Sequence, residues 1–286
     1  MGDIVWLASY PKSGNTWMRA FLHNFFFNAK RPVNLNKLQG QVSQSDGMLM
    51  WFQMLDKRPC EEWTAEDVAR MRPKVNELIA RGQTGSVFCK THNAMVTAYG
   101  FPTINLQVTS GAIYIVRNPL DLASSLADYS GITVEKAVDW LETDDLETES
   151  NPAFNHIKLR LGSWSQHVES WTGRPNPRLH VVRYEDMLAN PERAFGEVSR
   201  FLRLKPSRQR LLRAVRNSSF DTMRRQEERH GFNERSAHQE RFFRRGTAGG
   251  WKEELTDEQV RRICETHGDQ MKRFGYLSPG GQPTIG

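Results

Sequence analysis

An apolar run that ends in a tight basic turn and continues as a helix restricts this chain more than any other feature of its sequence. Ile4, Val5, Trp6, Leu7 and Ala8 read as a buried strand, Pro11, Lys12, Ser13 and Gly14 as the turn, and residues 17–27 as helix. A strand that feeds a helix in this way gathers backbone N–H groups and the positive helix end at one point, which suits a phosphate. The spelling is not the nucleotide triphosphatase one, G-x-x-x-x-G-K-[ST]. Lys12 precedes the serine and glycine instead of closing the loop.

Three more short apolar runs occupy residues 86–89, 112–116 and 179–182. Like the first, they are nearly continuous, as strands covered on both faces should be. Helical patterns at 16–28, 121–129 and 191–202 follow three of the four; the last opens on Pro191 and buries Phe195, Val198, Phe201 and Leu202. Strands alternating with helices predict an α/β fold with a parallel sheet and helices on both faces. Ligands of such sheets bind beyond the carboxyl ends of the strands. Polar and basic groups follow three of the runs at once: Tyr10 to Lys12, Lys90 to His92, and Arg117 with Asn118.

The 286 residues are read as one domain, 1–286. With 38% hydrophobic and 25% charged residues the composition is that of a globular protein, and no run approaches the roughly 20 apolar residues of a membrane span. The start at Ile4 lacks a basic n-region and reads as a strand, not a signal peptide. Cys60, Cys89 and Cys264 are odd in number and far apart, which argues against a disulfide framework or zinc site and for a cytoplasmic setting. The net charge of +6 is uneven: residues 200–252 hold 15 Lys/Arg against 5 Asp/Glu, leaving the remainder at −4. That segment could face a polyanion or be a solvated helical face with a few functional arginines.

Ile157, Leu161, Trp164, Val168 and Trp171 recur at helical spacing and predict a helix over 157–171, with His167 as a structural or solvated residue. The acidic stretch 141–150 reads as a surface loop or lid. Residues 47–55 either wall a pocket or form a buried helix, and the tail 278–286 is expected to be disordered.

"YPKSGNTW" (10–17), "YIVRNPLDLASSLADYSG" (114–131) and "RRGTAGGW" (244–251) resemble the three phosphosulfate-binding motifs of the cytosolic-type sulfotransferases. "KTH" (90–92) and "RYEDML" (183–188) match two further elements, in the family's order. The resemblance runs from residue 4 to about 277. It implies a P-loop-like parallel sheet of about five strands, 3'-phosphoadenosine 5'-phosphosulfate (PAPS) as donor, 3'-phosphoadenosine 5'-phosphate (PAP) as product, and no metal.

Carried over position by position, Lys12 and the backbone of Ser13, Gly14, Asn15 and Thr16 would surround the 5'-phosphate. Trp17 would stack on adenine, or be a core residue of the first helical turn. The resemblance gives Lys12 the further task of stabilising the bridging oxygen. Arg117 and Ser125 would clasp the 3'-phosphate; Arg117 could otherwise pair with Asp121, and Ser124 is a neighbouring hydroxyl. Arg244, Arg245 and Gly246 take the place of an Arg-Lys-Gly. Tyr184 would lie at the adenine, and Ser218, Phe220 and Met223 resemble a Thr-Ser-Phe-x-x-Met that borders the base.

His92 follows a strand, with Lys90 on the same side of an extended chain. A neutral imidazole suits the removal of a proton from an attacking hydroxyl, and Lys90 would help neutralise the transferring group. The acceptor is expected to be a small-molecule hydroxyl compound and is not identified by the segment 29–85. The dimer pattern of animal family members, Lys-x-x-x-Thr-Val-x-x-x-Glu, is broken at Asp257 and Arg261, which leaves the oligomeric state open.

Two other classes remain. A small-molecule kinase is opposed by the missing triphosphatase spelling and by the lack of an acidic magnesium ligand after a strand. A non-enzymatic binder of nucleic acid or sulfated polymer is opposed by the few aromatic residues among the basic ones at 200–252. No nucleic-acid partner is expected.

Overall fold

The computed structural model describes residues 2–82, 85–151 and 155–286. Its main sheet has five strands, all parallel: β1 (Ile4–Ser9), β2 (Ser43–Ser45), β3 (Val87–Thr91), β6 (Thr109–Val116) and β7 (Leu179–Arg183). The order is β2-β3-β1-β6-β7, and a separate two-stranded hairpin is made by β4 (Thr97–Ala98) and β5 (Phe101–Pro102). Register pairs Trp6 with both Cys89 and Ala112, so β1 is the central strand.

The near-continuous apolar runs have the predicted cause. Ile4, Trp6 and Ala8 join Cys89, Ala112, Tyr114 and Val116 in the core on one face, while Leu7, Phe88, Ile113, Ile115 and Val182 join the core on the other. Alternate side chains of each strand thus meet helices on opposite sides. The first core is closed by helices Ala65–Arg81, Pro119–Ser130, Val134–Glu142, Trp164–Thr172 and Asp257–Arg273, the second by Asn15–Phe27, Pro191–Phe201 and Arg208–Asn217. The fold is α/β, a parallel sheet flanked by helices.

Several expectations need correction. The helix predicted over 157–171 occupies only Trp164–Thr172. Gly162 turns left-handed at φ +66, and Ser163 caps the helix in a reciprocal box with Gln166, so residues 157–161 run extended. The apolar stripe is buried all the same, because Ile157, Leu159 and Leu161 reach the core from that extended segment. A Gly-Ser pair in front of the aromatic run was the available start signal.

The acidic stretch is not free of the body. Arg262 pairs with Glu142, and Arg160 pairs with Asp145 and Glu147. The tail does not fray over 278–286. Thr284 N–H donates to Tyr276 O, Asn118 Nδ2 donates to Thr284 O, and Leu277 bridges to Pro283.

The 29–85 segment, whose residues 83 and 84 lie outside the described residues, supplies the edge strand β2 that periodicity missed because it is three residues long. Residues 47–55 yield the short helix Leu49–Gln53, with Leu49 and Phe52 in the core. Thr256, half of the broken dimer pattern, caps the helix Asp257–Arg273.

Candidate active site

A cleft of about 730 Å³ opens beyond the carboxyl ends of β1, β3 and β6. Its floor is the turn after β1. Lys12 takes a left-handed backbone, φ +68, rare for a side chain with a Cβ, and Gly14 follows at φ +101. A Cβ on Gly14 would lie 2.8 Å from the Tyr184 ring, so glycine is required twice over, by conformation and by space. The helix Asn15–Phe27 starts immediately after, with no side-chain cap on its first N–H groups. Asn15 turns its amide back to Leu7 O at 2.8 Å and ties the turn to β1.

Lys12 Nζ is buried without a hydrogen-bond partner among the described residues, 3.9 Å from the Phe242 ring centroid and 4.5 Å from that of Tyr129. Burial, then the charge of Arg117, pull its ammonium down to about 7. Arg117, at the end of β6, donates to Lys12 O at 2.9 Å and lies 4.4 Å over the Tyr184 ring, and its Nε has no hydrogen-bond partner among the described residues. It does not pair with Asp121. That carboxylate accepts from the N–H groups of Gly249 and Trp251 and so anchors the 244–251 turn.

In that turn Gly246 has φ +67, and a Cβ there would meet the Phe220 ring at 2.5 Å. Arg244 and Arg245 both pair with Glu254, at 2.9 and 3.0 Å. Ser124 and Ser125 both line the cleft; Ser124 is buried, and Ser125 is the more exposed of the two. Trp17 belongs to the core and to the cleft wall at once. It packs edge-on against Tyr184 and Phe195 and also lines the cleft.

At the end of β3, His92 places Nδ1 2.7 Å from Ser9 O. A carbonyl only accepts, so Nδ1 carries the proton and Nε2 is left as the ring's acceptor. Burial, then Lys90, hold the ring well below the ordinary histidine pKa, hence neutral. His167 is structural, as expected, but buried: it donates from Nε2 to His92 O and pairs through Nδ1 with the Tyr114 hydroxyl.

Lys90 Nζ lies 3.7 Å from Glu234, whose two oxygens also take Arg19 at 2.6 and 2.8 Å. Although burial alone would raise it, Arg19 and Lys90 keep the Glu234 carboxyl well below its usual range.

Of the residues singled out by sequence, Lys12, Gly14, Asn15, Thr16, Trp17, Lys90, His92, Arg117, Ser125, Tyr184, Phe220, Met223, Arg244, Arg245 and Gly246 line this one cleft. Ser13 and Ser218 do not. Ser13 is fully buried beneath the turn, and Ser218 spends its hydroxyl on Ala214 O and Val215 O at a helix end. Sequence reasoning missed Arg19, Glu234 and Phe242. A charged residue on the apolar face of the first helix was the signal for Arg19; none marked the other two.

The residues present fit a doubly phosphorylated anion. Lys12 and Arg117 line the cleft, and Lys12 Nζ and Arg117 Nε are buried donors with no hydrogen-bond partner among the described residues; Gly14 and Gly246 let the Tyr184 and Phe220 rings close on the backbone of the two turns. No group of three or more His, Cys, Asp or Glu able to hold a metal occurs among the described residues, and no described helix is long and apolar enough to cross a membrane.

The family profile described as "Sulfotransferase domain" matches residues 3–275. The amine sulfotransferase of Oryctolagus cuniculus is 24% identical over 279 residues, covering 95% of this chain and 82% of that one. Sulfotransferase 1E1 of Mus musculus is also 24% identical, over 275 residues, with coverage of 94% and 83%. The fold is shared with mouse sulfotransferase SULT7A1 in complex with PAP, at TM-score 0.60, 19% identity and coverage of 98% and 87%. It is shared as well with retinol dehydratase in complex with androsterone and PAP, at TM-score 0.65, 18% identity and coverage of 97% and 83%. A profile matched over nearly the whole length, on a chain whose five motifs converge on one cleft, establishes that it belongs to the sulfotransferase domain family and is a sulfuryl-transfer enzyme.

Proposed function

We propose that the protein transfers the sulfuryl group of PAPS to a hydroxyl group of a small-molecule acceptor, with His92 as general base. The observation that carries this reading is a buried Lys12 ammonium with no hydrogen-bond partner among the described residues, on one cleft with a neutral His92 whose Nδ1 is spent on Ser9 O and whose Nε2 is therefore its acceptor. The PAP in two related folds supports the choice of donor.

PAPS supplies an activated sulfuryl group on a phosphate leaving group. The backbone N–H groups of the turn, Lys12 and the helix start bind the 5' side of it, and Arg117, Ser125 and the Arg244–Arg245 pair bind the 3'-phosphate. Trp17, Tyr184 and Phe220 border the base. His92 Nε2 takes the hydroxyl proton as the acceptor oxygen bonds to sulfur. Lys12 neutralises the bridging oxygen, to which the electron pair of the breaking S–O bond passes. Lys90 offsets charge on the sulfuryl oxygens, at the expense of its contact with Glu234. Such a transfer needs positioning and charge stabilisation more than covalent help from the protein.

Calorimetry with PAP, AMP, ATP–magnesium and a short oligonucleotide tests the assignment. PAP should bind far more tightly than AMP, because each charge-assisted bond lost with the 3'-phosphate costs roughly 1.5–3 kcal/mol. Equal affinity for PAP and AMP would contradict it, tighter ATP–magnesium binding would favour a kinase, and preference for the oligonucleotide a polyanion binder.

A further inference from the structure

The chain on both sides of His92 is fastened to a single buried carboxylate. Asp46, just past the edge strand β2, accepts from Thr91 Oγ1 and from Asn93 Nδ2, each at 2.9 Å and each on Oδ2. Its own N–H donates to Lys90 O. Three of the residues around His92 therefore hang on Asp46, and all four side chains of the cluster that includes Arg72 are buried.

Further bonds complete the clamp. Asn93 O accepts from Trp171 Nε1 and Asn93 Oδ1 from Arg160 N–H, while His92 O accepts from His167. The cluster is a poor stabiliser in its own right. Arg72 Nη1 stands 3.8 Å from Asp46, and neither Asp46 Oδ1 nor Arg72 Nη1 has a hydrogen-bond partner among the described residues. A buried pair so incompletely satisfied repays little of its desolvation. Its bonds converge instead on the two neighbours of one imidazole.

We propose that Asp46, held by Arg72, is a positioning residue for His92: it fixes the end of β3 so that the ring keeps Nδ1 on Ser9 O and presents Nε2 to the cleft. A general base must be held to within fractions of an ångström, and groups outside the reacting set usually do the holding. The inference rests on the reading of His92 as base only for its consequence in rate. The orientation of the ring can be read separately.

The test uses the whole protein with ¹⁵N-labelled histidine, saturated with PAP, with the His92 ring signals assigned by their loss in His92→Gln. The wild type should show one protonated and one bare ring nitrogen, well separated in shift. In Asp46→Ala that separation should fall by roughly half as the second tautomer populates. Asp46→Asn, which keeps an oxygen acceptor, should restore most of it. PAP affinity should stay within about threefold, since none of the four clustered residues lines the donor side.

In the reverse assay with PAP and 4-nitrophenyl sulfate, Asp46→Ala should lower kcat by roughly 10–100-fold with KM little changed. On a His92→Ala background it should add no further loss. Unchanged ring signals in an Asp46→Ala protein that binds PAP normally would overturn the proposal, as would a fully additive loss of rate. Should Asp46→Ala fail to bind PAP, Thr91→Val, which removes one of the two bonds, decides on the same ring signals. Shifted ring signals together with a fully active His92→Ala would leave the positioning intact and sink the base.

Discussion

Lys12 combines three properties that are each unusual for a lysine: a left-handed backbone, a buried ammonium without a hydrogen-bond partner, and a pKa drawn down to about 7 by burial and Arg117. Together they describe a cation kept for an anion. A bound phosphosulfate favours the protonated form, so binding takes up a proton wherever the free lysine is neutral. Affinity for PAP should therefore be insensitive to the lysine below its pKa and weaken by up to about tenfold per pH unit above it. Calorimetry at pH 7, 8 and 9 reads this slope. In Lys12→Arg, whose guanidinium stays charged, the slope should vanish whatever the absolute affinity. The same slope in both proteins would remove Lys12 from the binding site. The lysine itself was legible because a charge in a strand-to-helix turn has few structural uses. Its cation–π partners were not, since Tyr129 and Phe242 lie far from it in sequence.

The 244–251 turn depends on the helix beneath it. Gly246 lies against the Phe220 ring at the start of helix Phe220–His230, and Asp121 of helix Pro119–Ser130 holds the Gly249 and Trp251 N–H groups. Gly246→Ala imposes both a left-handed φ on a residue with a Cβ and a ring displacement. It should cost roughly 1–3 kcal/mol, seen as a PAP affinity about 5- to 100-fold weaker while the urea midpoint moves much less. An unchanged affinity would mean that the turn does not border the donor.

Elements of this kind were readable to different degrees. The β1 turn, the strands and the helix opened by Pro191 carry local signals, and they fall within a few residues of their expected places. The 157–171 helix failed because its apolar spacing is met equally by an extended segment that turns at Gly162 and enters a capped helix. Strand β2, with its three polar residues, has no periodicity to read. It exists because β3 offers it an edge. Asp46, which follows it, was invisible for the same reason.

Four of the five motifs meet in one cleft because a parallel sheet brings the ends of β1, β3, β6 and β7 to the same side, and Asp121 fastens the fifth, 244–251, to it. The basicity of residues 200–252 is partly spent there, and partly on surface pairs such as Arg208–Glu192 and Arg224–Glu228. With lysines and arginines supplying the positive charge, transfer should run at the same rate in EDTA as in magnesium. A rate that collapses in EDTA and returns with magnesium would contradict the charge assignment.

His92 as the group that takes the acceptor's proton is tested by rate together with donor affinity in His92→Ala. PAP affinity should stay near the wild-type value, because the donor is assigned to the β1 turn, Arg117 and residues 244–246 and not to the ring. Transfer in the PAP and 4-nitrophenyl sulfate assay should fall by about 10²–10⁴-fold and lose the acid limb of its pH profile. A variant that transfers at the wild-type rate with the same pH dependence would remove His92 from the proton transfer.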